Sequence, residues 1–229
     1  MPPKIRGKSN EILESLDLPE QAKPPHLRRN GSPCFVRGTL IETDTGPLPI
    51  EVLRAGDPVM TLDSGPMPIR WIGSREVHAH GEHAPVVISA GALGNYRDLT
   101  VSPQHRVLIN TVKNALLFGE TQVLVAAKHL VDGRAIRFDP RPTVRYYHLA
   151  LESHQAVFSE GIATESLHLG SETLKLLGPE TARELLDLFP DVRDGKVTPR
   201  TVRACLKAYE GALIQDEIDS TTGVRSAAA

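Results

Sequence analysis

Through the middle of the chain, hydrophobic and polar positions alternate in short runs separated by turn residues. Residues 39–43 run into Asp44-Thr45-Gly46, residues 48–53 into Gly56-Asp57, and residues 59–62 into Asp63-Ser64-Gly65. Further runs follow at 69–73, 86–88, 106–109, 121–125, 135–138, 144–151 and 156–158. Short β-rich runs bounded by Gly, Asp and Ser read as strands joined by tight turns, so a mainly β body is expected from Cys34 to about Leu169. A single helical turn is expected at 126–131.

The pattern differs on both sides of this body. In residues 1–33, Ile5, Ile12, Leu13, Leu16 and Leu18 have the makings of a short amphipathic turn or two, but Pro2, Pro3, Pro19, Pro24, Pro25 and the stretch Arg28-Arg29-Asn30-Gly31 argue for mobility, and the segment reads as a flexible leader. Beyond Leu169, Leu174, Leu177, Leu185, Leu186 and Leu188 recur at roughly helical spacing, with Pro179 suited to a helix first turn. A second helix is expected after Thr198-Pro199, with Val202, Leu206, Tyr209 and Leu213 on one face. The organisation is therefore a leader at 1–33, a β domain at 34–169, a helical tail at 170–218 and a disordered end at 219–229.

Composition narrows the function classes. The 229 residues are 40% hydrophobic, enough for a real core, and 18 Gly and 18 Pro fit a body of many turns. A formal net charge of −2 gives no electrostatic reason to expect nucleic acid or a membrane surface as partner. The two cysteines, Cys34 and Cys205, stand far apart in dissimilar sequence and read as free thiols, with Cys205 a packing residue. The chain has no apolar signal region and no run long enough to span a bilayer, so a soluble, cytoplasmic protein is expected.

Candidate chemistry begins at Cys34, which opens the first strand of the β body. A cysteine there is able to attack the carbonyl before it, which makes Pro33–Cys34 the bond at risk and the N-terminal segment the substrate. An amide resists attack because resonance holds it planar, with a rotational barrier of roughly 18–20 kcal/mol. Converting it to a thioester requires stabilisation of an oxyanion and a proton for the departing Cys34 nitrogen. About seventy residues on, Val101-Ser102-Pro103-Gln104-His105 offers a hydroxyl and an imidazole in a Ser-x-x-His spacing. His105 is the expected proton donor, and Ser102 the group that grips the scissile amide.

These segments resemble the first two sequence blocks of the Hint family, the fold shared by inteins and the autoprocessing domain of hedgehog proteins. Residues 147–154, followed by Val157-Phe158-Ser159-Glu160-Gly161, are similar to a third block. Pro33-Cys34-Phe35, Ile69-Arg70-Trp71-Ile72-Gly73 and Phe118-Gly119-Glu120 look like bacterial Hint-type proteins without a splicing partner. The resemblance implies a Hint/intein-like, pseudo-symmetric β horseshoe, here with a short α-helical tail, and an N-to-S acyl shift at Cys34. Ser102 stands where the family usually has Thr. His154 lies near the family's acid-base position. Splicing needs a terminal Asn, and no Asn follows Asn114, so asparagine-dependent splicing is not expected.

What the resemblance leaves is cleavage on the N-terminal side, with water or a small nucleophile resolving the thioester and no cofactor required. The Pro33 ring crowds the carbonyl under attack, so slow or conditional cleavage is expected. The alternative is a Hint-fold interaction or regulatory module in which the chemistry is silent. His78, His80 and His83 form a His-x-His-x-x-His pattern that is a weak candidate for zinc, and no metal is expected. Ser166 reads as a strand-end residue, and His129, His148 and His168 as structural.

Overall fold

A computed structural model describes residues 32–214. The expected leader up to residue 31 and the expected disordered end lie outside the described residues. The alternation becomes strands in which one face is buried. In β2 (Leu40–Thr43) Ile41 and Thr43 point inward, and in β9 (Arg106–Asn110) Val107 and Ile109 do so, the two-residue period of a half-buried strand.

Among the described residues the strands form two sheets. The first has six strands in the order β11 (Ile136–Phe138), β7 (Val86–Ile88), β8 (Leu99–Val101), β1 (Phe35–Val36), β12 (Arg141–Ala150) and β6 (Trp71–Ala79). The second runs β15 (Ala204–Cys205), β10 (Gln122–Ala126), β9, β14 (Ile162–Glu165), β13 (Ala156–Ser159), β2, β4 (Pro58–Thr61) and β5 (Gly65–Pro68). Its remaining strand, β3 (Gly46–Pro49), pairs with β2. Phe35, Ile41, Val59, Leu99, Val107 and Leu149 belong to the main core.

Strand register prepares the centre of the molecule. In β1 Phe35 lies opposite Tyr147 on one side and Val101 on the other, both antiparallel. One residue back along β1 is one residue forward on each neighbour. Cys34 therefore falls level with His148 and Ser102.

The tail departs from expectation in its second half. Helices α2 (Ser171–Leu177) and α3 (Pro179–Leu188) form where the Leu spacing indicates, separated by Gly178 at φ 87°, and α4 (Pro190–Arg193) adds one turn. Leu185 and Phe189 pack on Trp71, Ala150, Leu167 and Leu169 as a second core. The expected helix from Thr198 does not form there. Residues 204–205 make β15, parallel to β10, and helix begins only at Ala208. The edge of β10 supplies the reason: Leu206 N–H donates to Leu124 O at 2.9 Å, and this tertiary partner overrides local propensity. A helix absent from the sequence expectation, α1 (Val112–Phe118), links β9 to β10, capped by Thr111 Oγ1, which accepts from Asn114 N–H. The turn expected at 126–131 is a short 3-10 segment, Ala127–His129.

Candidate functional site

The Pro33–Cys34 peptide is held from both sides. Cys34 N–H donates to Ser102 Oγ at 2.9 Å, and Ser102 Oγ–H donates to Ser32 O at 3.0 Å. Ser102 N–H in turn donates to Cys34 O at 2.9 Å, which extends the β1–β8 pairing by one residue. On the other side His148 Nδ1 lies 2.9 Å from Pro33 O, and its Nε2 lies 3.6 Å from Cys34 Sγ.

A carbonyl only accepts, so His148 carries its hydrogen on Nδ1 and presents a free lone pair at Nε2 to the thiol. The thiol has a second acceptor in Ser32 O, at 3.0 Å. One imidazole thus touches both the nucleophile and the oxygen of the bond it would attack. His148, expected to be structural, instead lies against the scissile bond, because the β1–β12 register sets it opposite Cys34.

Burial sets the protonation states. The Cys34 thiol is pushed up to about 12 by burial, against smaller opposing effects from Ser32, Arg75 and Ser102. Burial lowers His148 to about 4, the Pro33 carbonyl opposing it, and it lowers His105 to about 4 as well. At neutrality the centre holds a thiol and neutral imidazoles.

His105 is placed differently from its expected role. Neither ring nitrogen has a hydrogen-bond partner, and the ring packs against Phe35 with centroids 4.4 Å apart. The contact to the scissile amide belongs to Ser102. His105 N–H does donate to Ser102 O at 3.0 Å, so its backbone steadies the serine.

His154 belongs to a neighbouring cluster. Its Nδ1 accepts from Val202 N–H at 2.9 Å, its Nε2 stands 3.4 Å from Glu165 Oε2, and its ring meets His168 edge-on. Glu165, fully buried, accepts from Arg106 N–H at 2.8 Å and from Arg106 Nη1 at 2.9 Å. Burial would raise the Glu165 carboxyl, but the His154 ring and the Arg106 guanidinium together hold it below its usual value. Ser166 Oγ accepts from Gln155 N–H, a structural contact.

The weak zinc candidates are not gathered. His78 lies near the end of β6 and His80 and His83 flank Gly81, all three exposed. Among the described residues no group of three His, Cys, Asp or Glu side chains is arranged to hold a metal ion. No described helix is long and apolar enough to cross a membrane. Cys34 and Cys205 are both free thiols.

A search of the curated proteins found no match. Among solved structures, the chain is similar to a bacterial intein-like domain from Clostridium thermocellum, with 16% identity, 57% of this chain and 96% of that one covered, and a TM-score of 0.38. It is also similar to a DnaB intein from Synechocystis sp., with 9% identity, 59% and 99% coverage and a TM-score of 0.40. The TvoVMA intein matches at 13% identity, 58% and 97% coverage and a TM-score of 0.44. The Hint domain family model matches residues 33–171, from the residue before Cys34 through the second core's Leu169 into the start of α2. That span is more than half of the 229 residues, and the chain belongs to the Hint domain family.

Proposed function

We propose that this Hint domain cleaves its own chain at the Pro33–Cys34 bond, by an N-to-S acyl shift without asparagine-dependent splicing. The observation that carries the reading is the double contact of His148, 3.6 Å from Cys34 Sγ and 2.9 Å from Pro33 O. As Sγ attacks the Pro33 carbonyl carbon, Nε2 takes the thiol proton and Nδ1–H holds the oxygen that becomes negative. The resulting imidazolium sits against the oxyanion, so the two charges form together and offset one another.

Collapse breaks the bond from carbon to Cys34 nitrogen. The proton that left sulfur ends on that nitrogen, and Ser102 Oγ, 2.9 Å from it, is the hydroxyl beside the transfer. The product is a Pro33 thioester on Cys34, which water or an added nucleophile resolves. His105 acts behind Ser102, through its backbone and its packing on Phe35, as a positioning residue. His154 acts further out, through Glu165.

Burial favours the second reading, a silent Hint module: Cys34 is 2% exposed, and the recess around it holds only about 10 Å³. The two readings part on one experiment. Full-length protein is followed by intact mass with and without hydroxylamine. A fragment beginning at Cys34, absent in Cys34→Ala, is expected. An unchanged mass over several days with hydroxylamine establishes the silent module instead.

A further inference from the structure

The two residues before Cys34 are held very differently. Pro33 is half-buried, whereas Ser32 is 0% exposed, as enclosed as the residues of the core. The Ser32 carbonyl accepts from Cys34 Sγ–H and from Ser102 Oγ–H, both at 3.0 Å. Its hydroxyl lies 3.7 Å from Cys34 Sγ and accepts from Arg75 Nη2 at 3.4 Å. A residue on the departing side of the scissile bond is thus part of the frame around the nucleophile.

Little space is left beside Ser32. The recess that it shares with Cys34, Arg75, Val77, Ser102 and Tyr146 holds about 10 Å³, room for about one water. A side chain longer than serine has to displace either a wall or its own backbone. Where the backbone gives, the Ser32 carbonyl moves, and the thiol and the Ser102 hydroxyl lose the acceptor they share. Arg75 is the wall with room behind it, because it also lines a cleft of about 220 Å³ with Trp71, Gly73 and His148.

We infer that position 32 is the selectivity subsite of the cleavage: the site takes as substrate a segment with a small side chain two residues before Cys34 and rejects one with a larger side chain, and Arg75 is the wall that sets the limit. The inference rests on the acyl shift proposed above. A larger side chain leaves the nucleophile and the scissile bond chemically unchanged. It acts by moving the carbonyl that orients Sγ, and misplacing a reacting atom by about 1 Å is enough to slow a reaction by about 10²-fold.

The test follows hydroxylamine cleavage of the full chain and its variants by intact mass. Ser32→Ala removes only the hydroxyl and is expected to slow cleavage by about fivefold at most, the weight of one long hydrogen bond. Ser32→Leu is expected to slow it by about 10–100-fold, the range for overpacking a filled site. Arg75→Ala opens the recess into the cleft, so Ser32→Leu made in an Arg75→Ala chain is expected to lose most of that penalty relative to Arg75→Ala alone. A Ser32→Leu chain that cleaves like the unaltered one overturns the inference, as does equal slowing in Ser32→Ala and Ser32→Leu. So does a Ser32→Leu penalty that Arg75→Ala leaves whole, since the slowing then comes from the fold and not from the subsite. No cleavage of the unaltered chain by hydroxylamine overturns the acyl shift and this inference with it.

Discussion

Two imidazoles lie in the buried centre, and one of them touches the reacting atoms. His148 contacts sulfur and carbonyl oxygen, whereas the His105 ring nitrogens contact no partner. His148→Ala is therefore expected to slow hydroxylamine-dependent cleavage by about 10²–10⁴-fold, the range for loss of a positioned acid-base group. His105→Ala is expected to slow it less, and the order of the two rates checks the assignment. The pH profile follows from the same ring. His148 is lowered to about 4 by burial, so it stays unprotonated at Nε2 down to that pH, and its ability to accept the thiol proton is lost as pH falls through about 4. An acid limb near 6.5, the value of an unburied histidine, would contradict a role for this residue. The serine and the cysteine were legible in the sequence because their motif carries chemistry. His148 was not, because an isolated histidine in a strand acquires meaning only from the residue opposite it.

Among the elements, the strands were legible and the connections less so. The expected runs at 86–88 and 106–109 match β7 and all but the last residue of β9: the first is an apolar run buried throughout, and the second alternates because one of its faces is buried. Helix α1 went unread because it lacks an inward apolar stripe: Val112 is 74% and Leu116 81% exposed. Strand β15 went unread because two residues carry no periodicity, and its partner β10 is eighty residues away. The link between β14 and β9 is electrostatic as well as hydrogen-bonded. Glu165→Gln keeps the shape and removes the charge facing Arg106 and His154. Breaking a buried pair costs about 3–5 kcal/mol, and the Arg106 side chain is 32% exposed, so a loss at the low end of that range is expected. Urea unfolding measures it, and an unchanged midpoint would mean that the pair contributes little.

For the molecule as a whole, the boundary read at residue 169 marks the end of the β pattern and not the end of the packed unit. Leu185 and Phe189 complete the second core, and Leu206 and Ile214 enter the first. Burying one such side chain contributes about 1.5–3 kcal/mol. A chain ended at Gly170 is accordingly expected to unfold at a clearly lower urea concentration than the full chain. An equal midpoint would show that the β body stands without its tail. Thr181 and Glu184 of the tail also line a cleft of about 220 Å³ together with Trp71, the sole tryptophan among the 229 residues. Its ring lies 6.4 Å from the His148 ring. The protein thereby carries a built-in optical probe: an imidazolium quenches indole emission more strongly than a neutral imidazole, so an acid titration of fluorescence reports the charge of His148 in the uncleaved chain.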